Sequence, residues 1–132
     1  MFALPYFDFI DPQEIDLLII THHHLDHCGA LPYFVAHTNF KGKIVMTNPT
    51  KAIFKYVLND YVKVSNMNRG DELYNEKDLN YTLSRIDPVG HHKENVHNGI
   101  KYTSFNAGHV LGAAMFLVEI DGVRILYTGD YS

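Results

Sequence analysis

The chain has 132 residues, 46% of them hydrophobic and 13% aromatic, which supports one buried core and no more than one domain. A formal net charge of −4 excludes a general basic footprint for nucleic acid, and a single cysteine, Cys28, excludes an intrachain disulfide. No apolar run reaches the roughly 20 residues of a membrane helix, and the N-terminus lacks the basic region of a signal peptide, so no membrane partner is expected.

In chain order, "IDPQEIDLLIIT" reads as a brief turn feeding a strand. Asp11 can cap, Pro12 suits a first helical position and Glu14 stands where a capping box wants an acid. The nearly unbroken apolar run from Ile15 to Ile20 predicts a strand covered on both faces. "GALPYFVAHTN" can start a short helix, and "GKIVMT" predicts a second strand. "NPTKAIFKYVLNDYVKVSN" predicts the main helix, with Asn48 as N-cap and Ile53, Tyr56, Val57, Tyr61 and Val64 on one face. "MNRGDELYN" reads as a loop. "EKDLNYTLSRI" reads as another helix, which Asp87-Pro88 and Gly90 break. The last third is β: "GIKYTSFNA" alternates, and "AAMFLVEI" and "VRILYTG" flank a hairpin turn at Asp121-Gly122. Strands alternating with helices, then hairpins, predict a layered α/β domain.

Histidine is the compositional outlier, with nine in the chain. In "THHHLDHCGALPYF" they follow directly on the strand. Alternation along a strand places His22 and His24 on one side and His23 on the other. Asp26 and His27 then curl back in a turn. Two imidazoles and a carboxylate–imidazole pair can address two adjacent points, a donor set suited to Zn²⁺, with Mn²⁺ or Fe as alternatives. His109 lies in a loop between Gly108 and Gly112, where the backbone can bend close to an ion. Asp130 follows the strand "VRILYTG" at its C-terminal end, where sites on α/β folds collect.

A histidine-rich surface turn can also bind metal adventitiously. The spaced pattern H-x-H-x-D-H after a buried strand, with Gly-His-x-x-Gly and strand-Gly-Asp downstream, favours a built site. His23 occupies a spacer position and reads as packing or as support for a ligand. His37, His91, His92 and His97 stand in polar contexts and read as solvated surface. Cys28 precedes Gly29 and Ala30, where a small buried residue is needed, and reads as packing.

"HHHLDH", "GHVLG" and "YTGD" resemble motifs of the metallo-β-lactamase superfamily. "HLDHCGALPYF", "FKGKIVMTNPTKAI", "DYVKVSN" and "AGHVLGAAMFLVEIDGVRILYTGD" resemble its β-CASP branch of RNA nucleases, with a lean toward the polyadenylation endonucleases. The resemblance covers nearly the whole chain and is weakest over "RGDELYNEKDLNYTLSRIDPVGHHKEN". It implies an αββα sandwich carrying two Zn²⁺ ions. His22, His24 and His109 would hold one, Asp26 and His27 the other, and Asp130 would bridge them. Asp26 and Asp130 are thereby also the expected catalytic carboxylates. The family's opening strands should precede Met1, and Asp8 lies too close to the cluster to be the acid they carry. Its β-CASP cap, last ligand histidine and leaving-group acid–histidine pair should follow Ser132. Residues 1–132 are therefore expected to be a partial metallo-β-lactamase-like domain, its second zinc site incomplete, poorly soluble and inactive alone.

For the whole protein the resemblance implies hydrolysis of a phosphodiester in RNA to a 3′-hydroxyl and a 5′-phosphate. Two metals about 3.5–4 Å apart activate water, neutralise phosphate and stabilise the departing oxygen. Imidazole ligands keep such a site net positive, so an acidic chain can still attract phosphate locally. The implied substrate is pre-mRNA, the partners are other subunits of a cleavage and polyadenylation complex, and the location is nuclear. The alternatives are an Integrator-type or free-standing β-CASP ribonuclease, and a non-catalytic structural paralogue in the same complex. The six ligand residues argue against the paralogue. "GALPYF" and "GHVLGAAMF" disfavour a small-molecule hydrolase of the glyoxalase or lactamase type.

Overall fold

The computed structural model describes residues 10–67 and 74–132, without the side chains of Asp26, Ser65, Asn66 and Met67. The loop expected around "NRGDEL" and the position of Asp8 lie outside the described residues. A 3₁₀ turn at Pro12–Glu14 opens the described chain, capped by Asp11, whose carboxylate accepts from the Gln13 N–H at 3.1 Å. The elements that follow are β1 (Leu17–Ile19), α1 (Leu25–Cys28), α2 (Leu31–His37), β2 (Lys43–Thr47), α3 (Asn48–Met67) and α4 (Glu76–Arg85). Then come β3 (Ile86–Val89), β4 (Glu94–His97), β5 (Ile100–Asn106), β6 (Ala114–Ile120) and β7 (Val123–Tyr127).

Strands β1-β2-β3 form a parallel sheet and β4-β5-β6-β7 an antiparallel one. Period-2 alternation along β2 shows why they stack. Ile44 and Met46 point into a core shared with Phe34, Phe54, Leu58 and Leu79 of the helices. Val45 points the other way, into a core with Tyr102 and Phe116 of the antiparallel sheet. All three β2 residues are fully buried. The described residues thus stack as three layers, helices on parallel sheet on antiparallel sheet, the α/β class expected and three layers of an αββα sandwich. The sheets also join at the backbone, where the Ala114 N–H donates to the Thr21 carbonyl at 2.9 Å. Among the described residues, no helix is long and apolar enough to cross a membrane.

Several local expectations change. The capping role given to Asn48 belongs to Thr47, whose hydroxyl accepts from the Thr50 N–H at 3.3 Å, so Asn48 is already helical. The buried face of α3 runs Phe54, Leu58, Val62, with Val57 and Tyr61 beside it. Tyr56 and Val64, expected on that face, are 81% and 49% exposed. The two faces share Val57 and Tyr61 and differ by about one helical residue, so apolar pattern alone could not separate them. Asp87-Pro88, expected to be a break, lies within β3. Its proline is tolerated because β3 is an edge strand, paired only to β2 in its sheet. Strand β4 was not expected. It forms a hairpin with β5 through Asn98 and Gly99, both at positive φ.

His37 lies at the surface as expected but is not without a partner: its Nε2 is 2.9 Å from an Asp78 carboxylate oxygen and its ring stacks on Tyr33, so it joins α2 to the start of α4.

The revised face of α3 has a direct consequence. Leu58→Ala should cost about 2–5 kcal/mol in urea unfolding, whereas Tyr56→Ala should stay within about 0.5 kcal/mol of the parent. Equal losses in the two would restore the face read from sequence.

Candidate metal centre

The histidine cluster begins where β1 ends. The Ile20 N–H still donates to Val45 and the Thr21 carbonyl is held by Ala114, so the chain leaves the sheet on fixed rails. His24 keeps an extended backbone (φ −63°, ψ 140°) and then caps α1, a single helical turn. That turn replaces the expected simple bend. It folds His27 back until its ring centroid is 4.1 Å from that of His22. Beyond it, the Tyr74 hydroxyl donates to the Gly29 carbonyl at 2.8 Å and fixes the joint between α1 and α2.

The His109 loop is shaped by its glycines. Gly108 and Gly112 sit at φ +76° and +84°. A Cβ on Gly112 would meet the Thr50 nitrogen at 2.7 Å, so only glycine fits. The Gly112 carbonyl accepts from both the Thr47 and Thr50 hydroxyls, at 2.7 and 3.0 Å. Two buried threonines therefore hold the loop against the start of α3. Asp130 arrives after β7 through Gly129, at φ +56° and pressed so close to Thr21 that a Cβ would lie 2.8 Å from its hydroxyl. The Ser132 N–H then donates to the Ala107 carbonyl at 3.0 Å, tying this tail to the base of the His109 loop.

These paths converge. His22, His24, His109 and Asp130 each offer one ligand atom, all within 4.8 Å of one another. His109 Nε2 is 3.3 Å from His24 Nδ1. Asp130 Oδ2 is 3.4 Å from His22 Nε2, 3.6 Å from His109 Nε2 and 3.5 Å from His27 Nε2. Ligand atoms about 2.0–2.1 Å from a tetrahedral ion are separated by about 3.4 Å, near the separations of the His24–His109, His22–Asp130 and His109–Asp130 pairs.

His22 supplies an independent test of fit. It is fully buried, its Nδ1 meets the Thr21 hydroxyl at 2.9 Å, and its Nε2 has no hydrogen-bond partner. A buried polar atom without a partner is costly, and an ion in front of it removes that cost. Burial, and then the neighbouring His27, push the His22 pKa down against the opposing pull of Asp130. That direction favours the neutral ring, the form that ligates. The donors present fit a metal ion.

Four of the six residues expected from sequence form this group, and His27 lies against Asp130 at its edge. The side chain of Asp26 lies outside the described residues, although its backbone belongs to α1. His23 is outside the ligand group, its pKa lowered mainly by burial. Cys28 donates to the His23 carbonyl at 3.2 Å and packs in the helix-side core, as expected of a non-ligand. Sequence reasoning missed Thr21, Thr47 and Thr50. Thr21 had a signal, being next to the first ligand. Thr47 and Thr50 gave none, because their link to Gly112 is long-range.

Three variants test this geometry. His24→Ala should lose bound metal by elemental analysis, while His23→Phe should keep it; equal loss would mean the register is shifted by one residue. Thr21→Val should weaken metal binding by about 10–100-fold in chelator competition, as removing an orienting partner does.

Comparison with known proteins agrees with the geometry. The Metallo-beta-lactamase superfamily matches residues 2–132. Cleavage and polyadenylation specificity factor subunit 3-I of Arabidopsis thaliana is 56% identical over 132 residues, covering 100% of this chain and 19% of that protein. Cleavage and polyadenylation specificity factor subunit 3 of Dictyostelium discoideum is 57% identical over 133 residues, covering 98% and 17%. Endoribonuclease ysh1 of Schizosaccharomyces pombe is 54% identical over 130 residues, again covering 98% and 17%. The chain thus spans less than a fifth of the length of these relatives. With its ligand residues on three loops at one end of stacked sheets, the chain belongs to the metallo-β-lactamase superfamily.

Proposed function

We propose that this chain carries most of the metal ligands of a zinc-dependent RNA endonuclease of the β-CASP branch. In this reading the enzyme cuts pre-mRNA before polyadenylation, in the nucleus and within a multi-subunit complex. The observation that carries the reading is the convergence of His22, His24, His109 and Asp130 in a chain more than half identical to named endoribonuclease and polyadenylation-factor relatives.

In this reading His22, His24 and His109 would hold one zinc ion, Asp26 and His27 a second, and Asp130 would serve both, a role its Oδ2 supports by lying 3.4 to 3.6 Å from the Nε2 atoms of His22, His109 and His27. Two zinc ions would supply the Lewis acidity that lowers the pKa of a water and offsets phosphate charge. The residues of the chain do the rest. The buried Thr21–His22 pair fixes the ring's orientation, so its Nε2 faces the group. Gly129 lets the Asp130 carboxylate reach the histidines while remaining 47% exposed, open to a substrate approaching from solvent. The sheets beneath hold these groups without rearrangement, so little reorganisation is needed when charge develops.

Asp130→Ala in the intact protein should abolish RNA cleavage to within background while leaving the far-ultraviolet circular dichroism spectrum unchanged. Cleavage at the parental rate would mean that Asp130 does not serve the chemistry.

A further inference from the structure

Beside the first turns of α3, away from the ligand group, lies an open cleft of about 460 Å³ lined by Asn48, Lys51, Ala52, Lys55, Leu83 and Ser84. Its two charged residues are both lysines, one helical turn apart on α3. Neither has a carboxylate partner among the described residues. Asp87, next to the Ile86 whose carbonyl Lys51 reaches, pairs instead with Lys43 at 3.0 Å. Lys51 reaches only the Ile86 carbonyl, at 3.4 Å, which leaves its charge uncompensated. The cleft is thus a local cationic site on a chain of net charge −4.

What lies beside it narrows the ligand. Tyr56 follows Ala52 by one helical turn and is 81% exposed. An uncovered ring next to paired lysines suits a strand whose phosphates meet the ammonium groups and whose base stacks on the tyrosine. An acidic peptide would use the lysines alone. The cleft is also tied to the ligand loop, because Thr50, the residue before Lys51, hydrogen-bonds the Gly112 carbonyl three residues beyond His109.

We infer that Lys51, Lys55 and Tyr56 form a docking site for the backbone and one base of single-stranded RNA. This rests on the ribonuclease reading above and names where its substrate is held. The test uses the intact, metal-loaded protein, a fluorescent single-stranded RNA 12-mer read first for binding and then for cleavage, and bis(p-nitrophenyl) phosphate as a small phosphodiester that needs only the metals. Lys51→Gln/Lys55→Gln should make the slope of log binding constant against log salt shallower by about 1.4, as expected for two lost contacts to a single strand. The same term corresponds to about tenfold weaker binding at about 0.15 M salt. Tyr56→Ala should weaken binding by about tenfold with the slope unchanged. Both variants should turn over the small phosphodiester at the parental rate.

A double-lysine variant that binds RNA with the parental slope and affinity overturns the inference, and so does a Tyr56→Ala variant with parental affinity. Loss of poly-glutamate binding with RNA binding intact also overturns it, and points to an acidic protein partner instead. If the parent hydrolyses the small ester but binds no RNA, the ribonuclease reading fails and this inference fails with it. If RNA binds and is cut normally by both variants, only the docking site fails.

Discussion

A single atom, Nε2 of His22, sets the terms for the rest of the molecule. It is buried, without a hydrogen bond although Asp130 lies 3.4 Å away, and on a ring whose other nitrogen is already engaged by Thr21. A neutral imidazole in that position is unfavourable unless something electropositive faces it. His24, His109 and Asp130 gather at the same point, their ligand atoms within 4.8 Å of one another and of His22. The shape of the His109 loop, the positive φ of Gly129 and the helical turn that returns His27 all follow from the need to bring donors to it.

Rigidity comes from the layers beneath. β2 is buried on both faces, so a shift of one residue would exchange Val45 with Ile44 and Met46 and spoil two cores at once. Register is therefore fixed, and the positions where β1 and β2 release their chains are fixed with it. The threonines transmit this precision. Thr47 closes β2, caps α3 and grips Gly112, so one side chain ties strand, helix and ligand loop together. The two superimposed roles explain why it is 3% exposed, unusual for a polar residue.

Much of this could be read from the sequence, for identifiable reasons. Ligand residue types recur at spacings that chance rarely produces, so His22, His24, His109 and Asp130 could be named without coordinates. The hairpin at Asp121-Gly122 was legible because its turn chemistry is local, with both residues at positive φ. What escaped depends on distant residues. Asp87-Pro88 looks like a break until β2 lies alongside and leaves its other side open. The buried face of α3 is decided by the sheet beneath it, and His37 becomes an ion-paired residue only when α4 is laid across α2. Gly112 could be suspected as a turn residue, but nothing near it in sequence reveals that two hydroxyls grip its carbonyl.

The ligands come from opposite ends of the described chain, with His22 close to its start and Asp130 close to its finish. A metal ion joining them is in effect a removable cross-link, closing a loop that covers most of the fold. Its binding energy is then also folding energy, about 4 kcal/mol when free metal exceeds the dissociation constant a thousandfold. Against a typical domain stability of about 5–15 kcal/mol, that is a substantial share. Metal supply thereby becomes a determinant of how much protein is folded and survives proteolysis, apart from any part it plays in chemistry. The tail from Gly129 to Ser132 is anchored by the Ser132–Ala107 hydrogen bond, and an ion held by Asp130 would give it a second anchor.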